Sequence, residues 1–92
     1  MDIDKIQELF NNDEFEDGGI ERDWTGDNAM QGLMIIAKHV DYKNKKIICG
    51  AGHDEMYSVG IEDMPNITED EVMELVRLNW CLDEDNYLSC YV

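Results

Sequence analysis

The sequence predicts an α+β domain: an antiparallel sheet of about four strands in two hairpins, with two or three helices packed on one face. Three observations lead there. Apolar residues recur at helical spacing over residues 3–10, 28–40 and 68–79. Two pairs of β-type runs, 45–49 with 56–61 and 80–82 with 87–92, are each joined by a short turn-forming stretch. The chain has 92 residues and a single proline, too little material for a second core, so 1–92 is expected to be a single domain.

The first helix can be capped by Asp2 or Asp4, and Ile3, Ile6, Leu9 and Phe10 form its apolar stripe. Residues 11–19 read as loop, because acids surround Phe15 and the Gly18-Gly19 pair breaks any regular element. Residues 20–24 suit a brief edge strand. Thr25-Gly26-Asp27 then caps a second helix reaching Lys38 or Val40. Ala29, Met30, Leu33, Met34, Ile36, Ala37 and Val40 make it apolar on nearly every side, the signature of a helix buried on most faces.

Residues 45–49 and 56–61 form the first expected hairpin, with Gly50-Ala51-Gly52-His53-Asp54 as a glycine-rich loop. Thr68 and Glu71 spell a capping box for the third helix, and Ile67 with Val72 can close a hydrophobic staple around it. Glu69, Asp70 and Glu71 place negative charge at the positive end of the helix dipole. Asn79 is a suitable left-handed stop. The last hairpin turns through Asp83-Glu84-Asp85-Asn86.

Charge is the strongest compositional signal. Twenty-two acids against seven bases leave a net charge of −15. Residues 1–30 carry ten acids and two bases, 31–50 one acid and four bases, and 51–92 eleven acids and one base. Two acidic blocks thus flank a basic, apolar middle. Such a charge excludes the usual basic nucleic-acid binder and attraction to anionic lipid surfaces. No apolar run approaches the length of a membrane span, and Met1-Asp2-Ile3-Asp4 does not resemble a signal peptide. Three cysteines, an odd number, fit reduced thiols in a cytoplasm better than a disulfide framework.

No cofactor is expected. Cys49 and His53 lie close in sequence, and Cys81 and Cys90 fall on the last two strands, but no C-x-x-C or paired-His motif is present. The acidic stretch from Asp13 matches part of a calcium loop, yet Phe15 and Trp24 occupy ligand positions. Asn66-Ile67-Thr68 formally matches a glycosylation sequon but reads as the approach to the third helix.

From His53 onward the chain resembles the C-terminal half of small, acidic, uncharacterised proteins encoded by bacteriophages and mobile elements. The likeness rests on His53-Asp54 with Tyr57, the helix opened by Thr68-Glu69-Asp70-Glu71, the Leu78-Asn79-Trp80 step, and the acidic turn leading to Leu88-Ser89-Cys90-Tyr91-Val92. It implies a phage-like product acting in a bacterial cytoplasm and assigns no activity to any residue. In charge and length the chain is similar to anti-CRISPR and other anti-defence proteins, an analogy of class only.

A duplex about 30 Å long, the span of a compact chain of this size, carries roughly 18 negative charges. The chain's own charge is comparable. The leading expectation is therefore a non-enzymatic inhibitor that occupies the basic surface of a host nucleic-acid-handling protein as a nucleic-acid mimic, with no direct contact to nucleic acid or membrane. Asp13, Glu14, Glu16, Asp17, Asp23, Asp27, Asp83, Glu84 and Asp85 would stand in for phosphates, with Phe15 or Trp24 as apolar anchor. Two rivals stay open. One is a self-associating structural or adaptor module in which Lys38, Lys43, Lys45 and Lys46 meet an acidic block of a second copy. The other is a small metal protein or enzyme using His53 with Cys49, Cys81 or Cys90.

Overall fold

The computed structural model describes residues 2–10 and 22–91. Its elements are α1 (Ile3–Phe10), α2 (Asn28–Ile36), β1 (Gly50–Gly52), β2 (Glu55–Gly60), a 3-10 turn (Ile61–Asp63), α3 (Glu69–Arg77), β3 (Trp80–Leu82) and β4 (Tyr87–Tyr91). The four strands form one antiparallel sheet in the order β1-β2-β4-β3, so the predicted α+β class is the observed one.

Local chemistry sets the helix ends. Asp2 Oδ1 accepts the Lys5 N–H at 2.8 Å, and Asp27 Oδ1 accepts that of Met30 at 3.0 Å. At α3 the capping box is complete in both directions. Its flanking staple residues Ile67 and Val72 are both buried. Asn79 ends the helix at φ 67°, a conformation asparagine tolerates better than most residues.

Ile6, Leu9 and Phe10 of α1, Leu33, Ile35 and Ile36 of α2, and Val72, Leu75 and Val76 of α3 share one core with Val59, Trp80, Leu88 and Cys90 of the sheet. Trp80 lies at its centre and donates its indole N–H to the Asn28 carbonyl at 3.1 Å. The Asn28 amide in turn donates to the carbonyls of Leu78 and Tyr91, at 2.8 and 3.1 Å. These bonds tie the start of α2 to the end of α3 and to the last strand.

Three expectations are corrected. Residues 22–24 form no strand, and residues 20 and 21 lie outside the described residues. The second helix stops at Ile36 and continues only as turns to Val40; it is buried on most faces, as expected, but one line, Met30 and Met34, is exposed. The third correction concerns the first hairpin, whose strand is the glycine segment and not residues 45–49. Its loop is only His53-Asp54, with Asp54 at φ 61°, and this short closure pairs Gly50 with Tyr57 and Gly52 with Glu55. Residues 47–49 run alongside without joining the ladder, held by Cys49 N–H to Tyr57 O at 2.8 Å and by the Ser58 hydroxyl on the Ile47 carbonyl.

Candidate functional site

Strand alternation gives the sheet two unlike faces. Leu88 and Cys90 of β4 point into the core, so Tyr87, Ser89 and Tyr91 belong to the opposite face. Register carries that second face across all four strands. Gly50, Tyr57, Ser89 and Cys81 form one row, Gly52, Glu55 and Tyr91 a second, and Gly60 with Tyr87 a third. Between the first and third rows the β2–β4 register shifts, the mark of a bulge. Among the described residues no helix covers this side: Tyr87 is 45% and Tyr91 52% exposed, although Ser89 between them is buried.

The Tyr57 ring lies along β1, where methyl groups placed on Gly50 and Gly52 would meet it at 3.7 and 3.9 Å. Small residues in β1 thus leave room for a large one in β2. Tyr57 donates its hydroxyl to Glu55 Oε2 at 2.8 Å. That hydrogen bond, then partial burial and the charges of Glu55, Tyr91 and Asp83, holds its phenol above the usual value, so it stays protonated at neutral pH. The Tyr87 ring borders Gly60, where an added methyl group would meet both this ring and the Glu62 side chain at 3.7 Å.

Acids gather at one end of this face. Asp83, Glu84 and Asp85 are all exposed in the β3–β4 turn, which is shaped by Asp83 Oδ1 accepting the N–H groups of Asp85 at 2.8 Å and Tyr87 at 3.0 Å. Gln7 donates to Asn86 Oδ1 at 2.6 Å, drawing α1 to the same end. There Asp2, Asp4 and Glu62 line a cleft of about 380 Å³. None of the face positions is Lys or Arg.

The sequence-predicted site residues divide into separate places. Asp83, Glu84 and Asp85 join this face. Asp23, Trp24 and Asp27 sit at the start of α2, beyond the other end of β4, where Asn28 meets Tyr91. Tyr87 and Tyr91 are four residue steps apart along the strand, about 14 Å. Trp24 is half-buried against the core, and the Arg77 guanidinium donates to the Asp23 carbonyl. Asp13, Glu14, Phe15, Glu16 and Asp17 lie outside the described residues. Glu55, Tyr57 and Tyr91 were not foreseen as site residues. Their signal is the two-residue period of Tyr87, Ser89 and Tyr91 in β4 and of Glu55 and Tyr57 in β2.

The thiols and histidines do not converge. Cys90 is buried in the core, Cys49 is exposed in the α2–β1 connection, and none of the three cysteines forms a disulfide. Burial first, then Asp27 and Cys81, pushes the Cys90 thiol up to about 11, which keeps it protonated. His53 is exposed beside Asp54 at 3.3 Å, whereas His39 is largely buried and meets both Glu71 oxygens at 2.9 and 3.0 Å. Among the described residues no three His, Cys, Asp or Glu side chains are grouped to hold a metal ion, and no helix is long and apolar enough to cross a membrane. No family model, curated protein or solved structure matches the chain.

Proposed function

We propose that the chain is a phage-type inhibitor that binds a host nucleic-acid-handling protein in the bacterial cytoplasm, offering the open sheet face and its acidic end to a cationic surface. The single observation that carries this reading is the composition of the face: Tyr57, Tyr87, Tyr91 and Glu55 on the two central strands, with no Lys or Arg at any face position of the four. Tyrosine supplies rigid contact area, hydroxyl donors and a π face for Arg or Lys. Asp83, Glu84 and Asp85, with Glu62, Asp2 and Asp4 lining the cleft at the same end, supply charge where phosphates would otherwise sit. The net charge of −15 adds long-range steering toward such a partner.

The test is capture from bacterial lysate on the immobilised full chain, followed by measured binding of the captured protein. Affinity should fall steeply between about 50 and 200 mM salt, as phosphate contacts do. Duplex DNA should compete for the captured protein, and the triple variant Asp83→Asn, Glu84→Gln, Asp85→Asn should weaken capture while leaving the circular dichroism unchanged. A flat salt response together with no competition by DNA would overturn the reading.

A further inference from the structure

On the helical side of the molecule, Asp27, Met30, Met34 and Lys38 recur at three- and four-residue spacing and form one line along α2 and the turn that ends it. All four are exposed, Met30 to 56% and Met34 to 60%. Tyr42 and Ile48, both more than half exposed, flank the line. With Leu33 and Ala37 they frame a shallow apolar cleft of about 390 Å³. Exposed methionines beside an exposed tyrosine and isoleucine are costly to leave in water, and methionine adapts readily to a second apolar surface.

The ends of the line carry opposite charge. Asp27, with Asp23 just before it, marks the start, and Lys38, with Lys43 and Lys46 in the connection beyond, marks the finish. Lys45 is paired with Asp63 at 2.9 Å, whereas Lys38, Lys43 and Lys46 make no ion pair among the described residues. The capping bond of Asp27 uses Oδ1 alone. A line that reads acid, Met, Met, base is complementary to itself when reversed.

We propose that α2 is a homodimer interface, in which two copies lay this line antiparallel across a two-fold axis. Met30 then faces Met34 of the second copy, Asp27 faces Lys38 at both ends, and Tyr42 with Ile48 closes the cleft from the side. Such a contact is isologous and therefore closes at two copies. It stands apart from the sheet-face reading. The α2 helix packs on the core side of the sheet, where a methyl group on Gly32 would overlap the Trp80 indole, so dimerisation leaves both tyrosine faces open. The two copies repel each other at long range through their net charge, and the apolar contact must overcome that repulsion.

Salt dependence therefore separates the two readings. Raising salt from about 50 to 300 mM shortens the Debye length and should strengthen the dimer, opposite to its effect on a cationic partner. Sedimentation equilibrium of the full chain at concentrations up to about 1 mM suits an interface at the small end of specific contacts. Met34→Glu should weaken the dimer by at least about a hundredfold with unchanged circular dichroism. Lys38→Asp and Asp27→Lys should each weaken it about tenfold, and mixing these two variants should recover pairing, because each mixed pair restores both opposite-charge contacts. If Asp27→Lys fails to fold for want of its cap, the Met34→Glu and Lys38→Asp results decide alone. A chain that stays monomeric at every salt concentration, or a dimer untouched by Met34→Glu, would overturn the proposal.

Discussion

Each face of the sheet sets an aromatic ring against glycine, and the two pairs differ in tightness. On the covered face Trp80 fills the space where a side chain on Gly32 would stand; a methyl group there would overlap Nε1 and come within 2.7 Å of Cζ2. On the open face Tyr57 rests on Gly50 and Gly52 at ordinary van der Waals distance. The first contact fixes how closely α2 approaches the sheet. The second leaves slack, so the covered face is committed to the fold while the open face is available for binding.

Trp80 carries the largest share of the packing on the covered face. Replacing this fully buried ring in Trp80→Ala should cost about 3–5 kcal/mol, and Gly32→Ala should cost about 1–3 kcal/mol or more by forcing α2 away from it. Urea unfolding monitored by circular dichroism measures both. A neutral Gly32→Ala would mean that α2 is not seated on the indole.

Tyr91→Ala should show the reverse pattern. Its ring is half exposed, so stability should stay within about 0.5 kcal/mol of the parent chain. Affinity for the captured partner should drop by about 2 kcal/mol, near thirtyfold, if the ring anchors the interface. Loss of stability without loss of affinity would assign Tyr91 to the fold instead.

Carboxylates divide between the faces in the same way. Burial opposes ionisation of Glu71, but the Thr68 backbone N–H, the His39 ring and the Thr68 hydroxyl together outweigh it and hold the carboxyl below its ordinary 4.5. A carboxyl lowered by folding contributes stability that is fully present above that ordinary value and is lost as pH falls through the folded one. Glu71→Ala should therefore cost about 1 kcal/mol at neutral pH, and the penalty should shrink on acidification. Glu74 shifts in the same direction, chiefly through its hydrogen bond from Arg77. Glu84→Gln in the exposed turn should cost nothing at neutral pH, since it relieves self-repulsion and breaks no hydrogen bond found among the described residues.

Local signals were legible in the sequence. The α3 cap needs only Thr68, Glu71 and their flanking apolar residues, all within six positions, and the structure has it as spelled. The first hairpin shows the limit of such reading. Ile47, Ile48 and Cys49 favour strand by propensity, but the ladder was settled by a two-residue loop, which sets Gly50 opposite Tyr57 and Gly52 opposite Glu55. The pattern of α2 could not distinguish a helix buried all round from one with an exposed methionine line, because both are apolar on every side. Likewise, Tyr57 and Tyr91 became site residues only when register showed which side of the sheet the helices leave bare.

The smallest expected effect tests the slack on the open face. At Gly50 an added methyl group would touch Tyr57 Cδ2 at 3.7 Å, a normal contact, and the residue does not occupy the left-handed region that favours glycine. Gly50→Ala should therefore keep or raise stability, by up to about 0.5 kcal/mol, because alanine gives up less backbone freedom on folding. The outcome bears on function as well as fold. If Gly50→Ala leaves stability intact but weakens partner capture, the partner reaches past Tyr57 to the β1 edge; if it lowers stability, the open face is packed as tightly as the covered one and the contrast between them disappears.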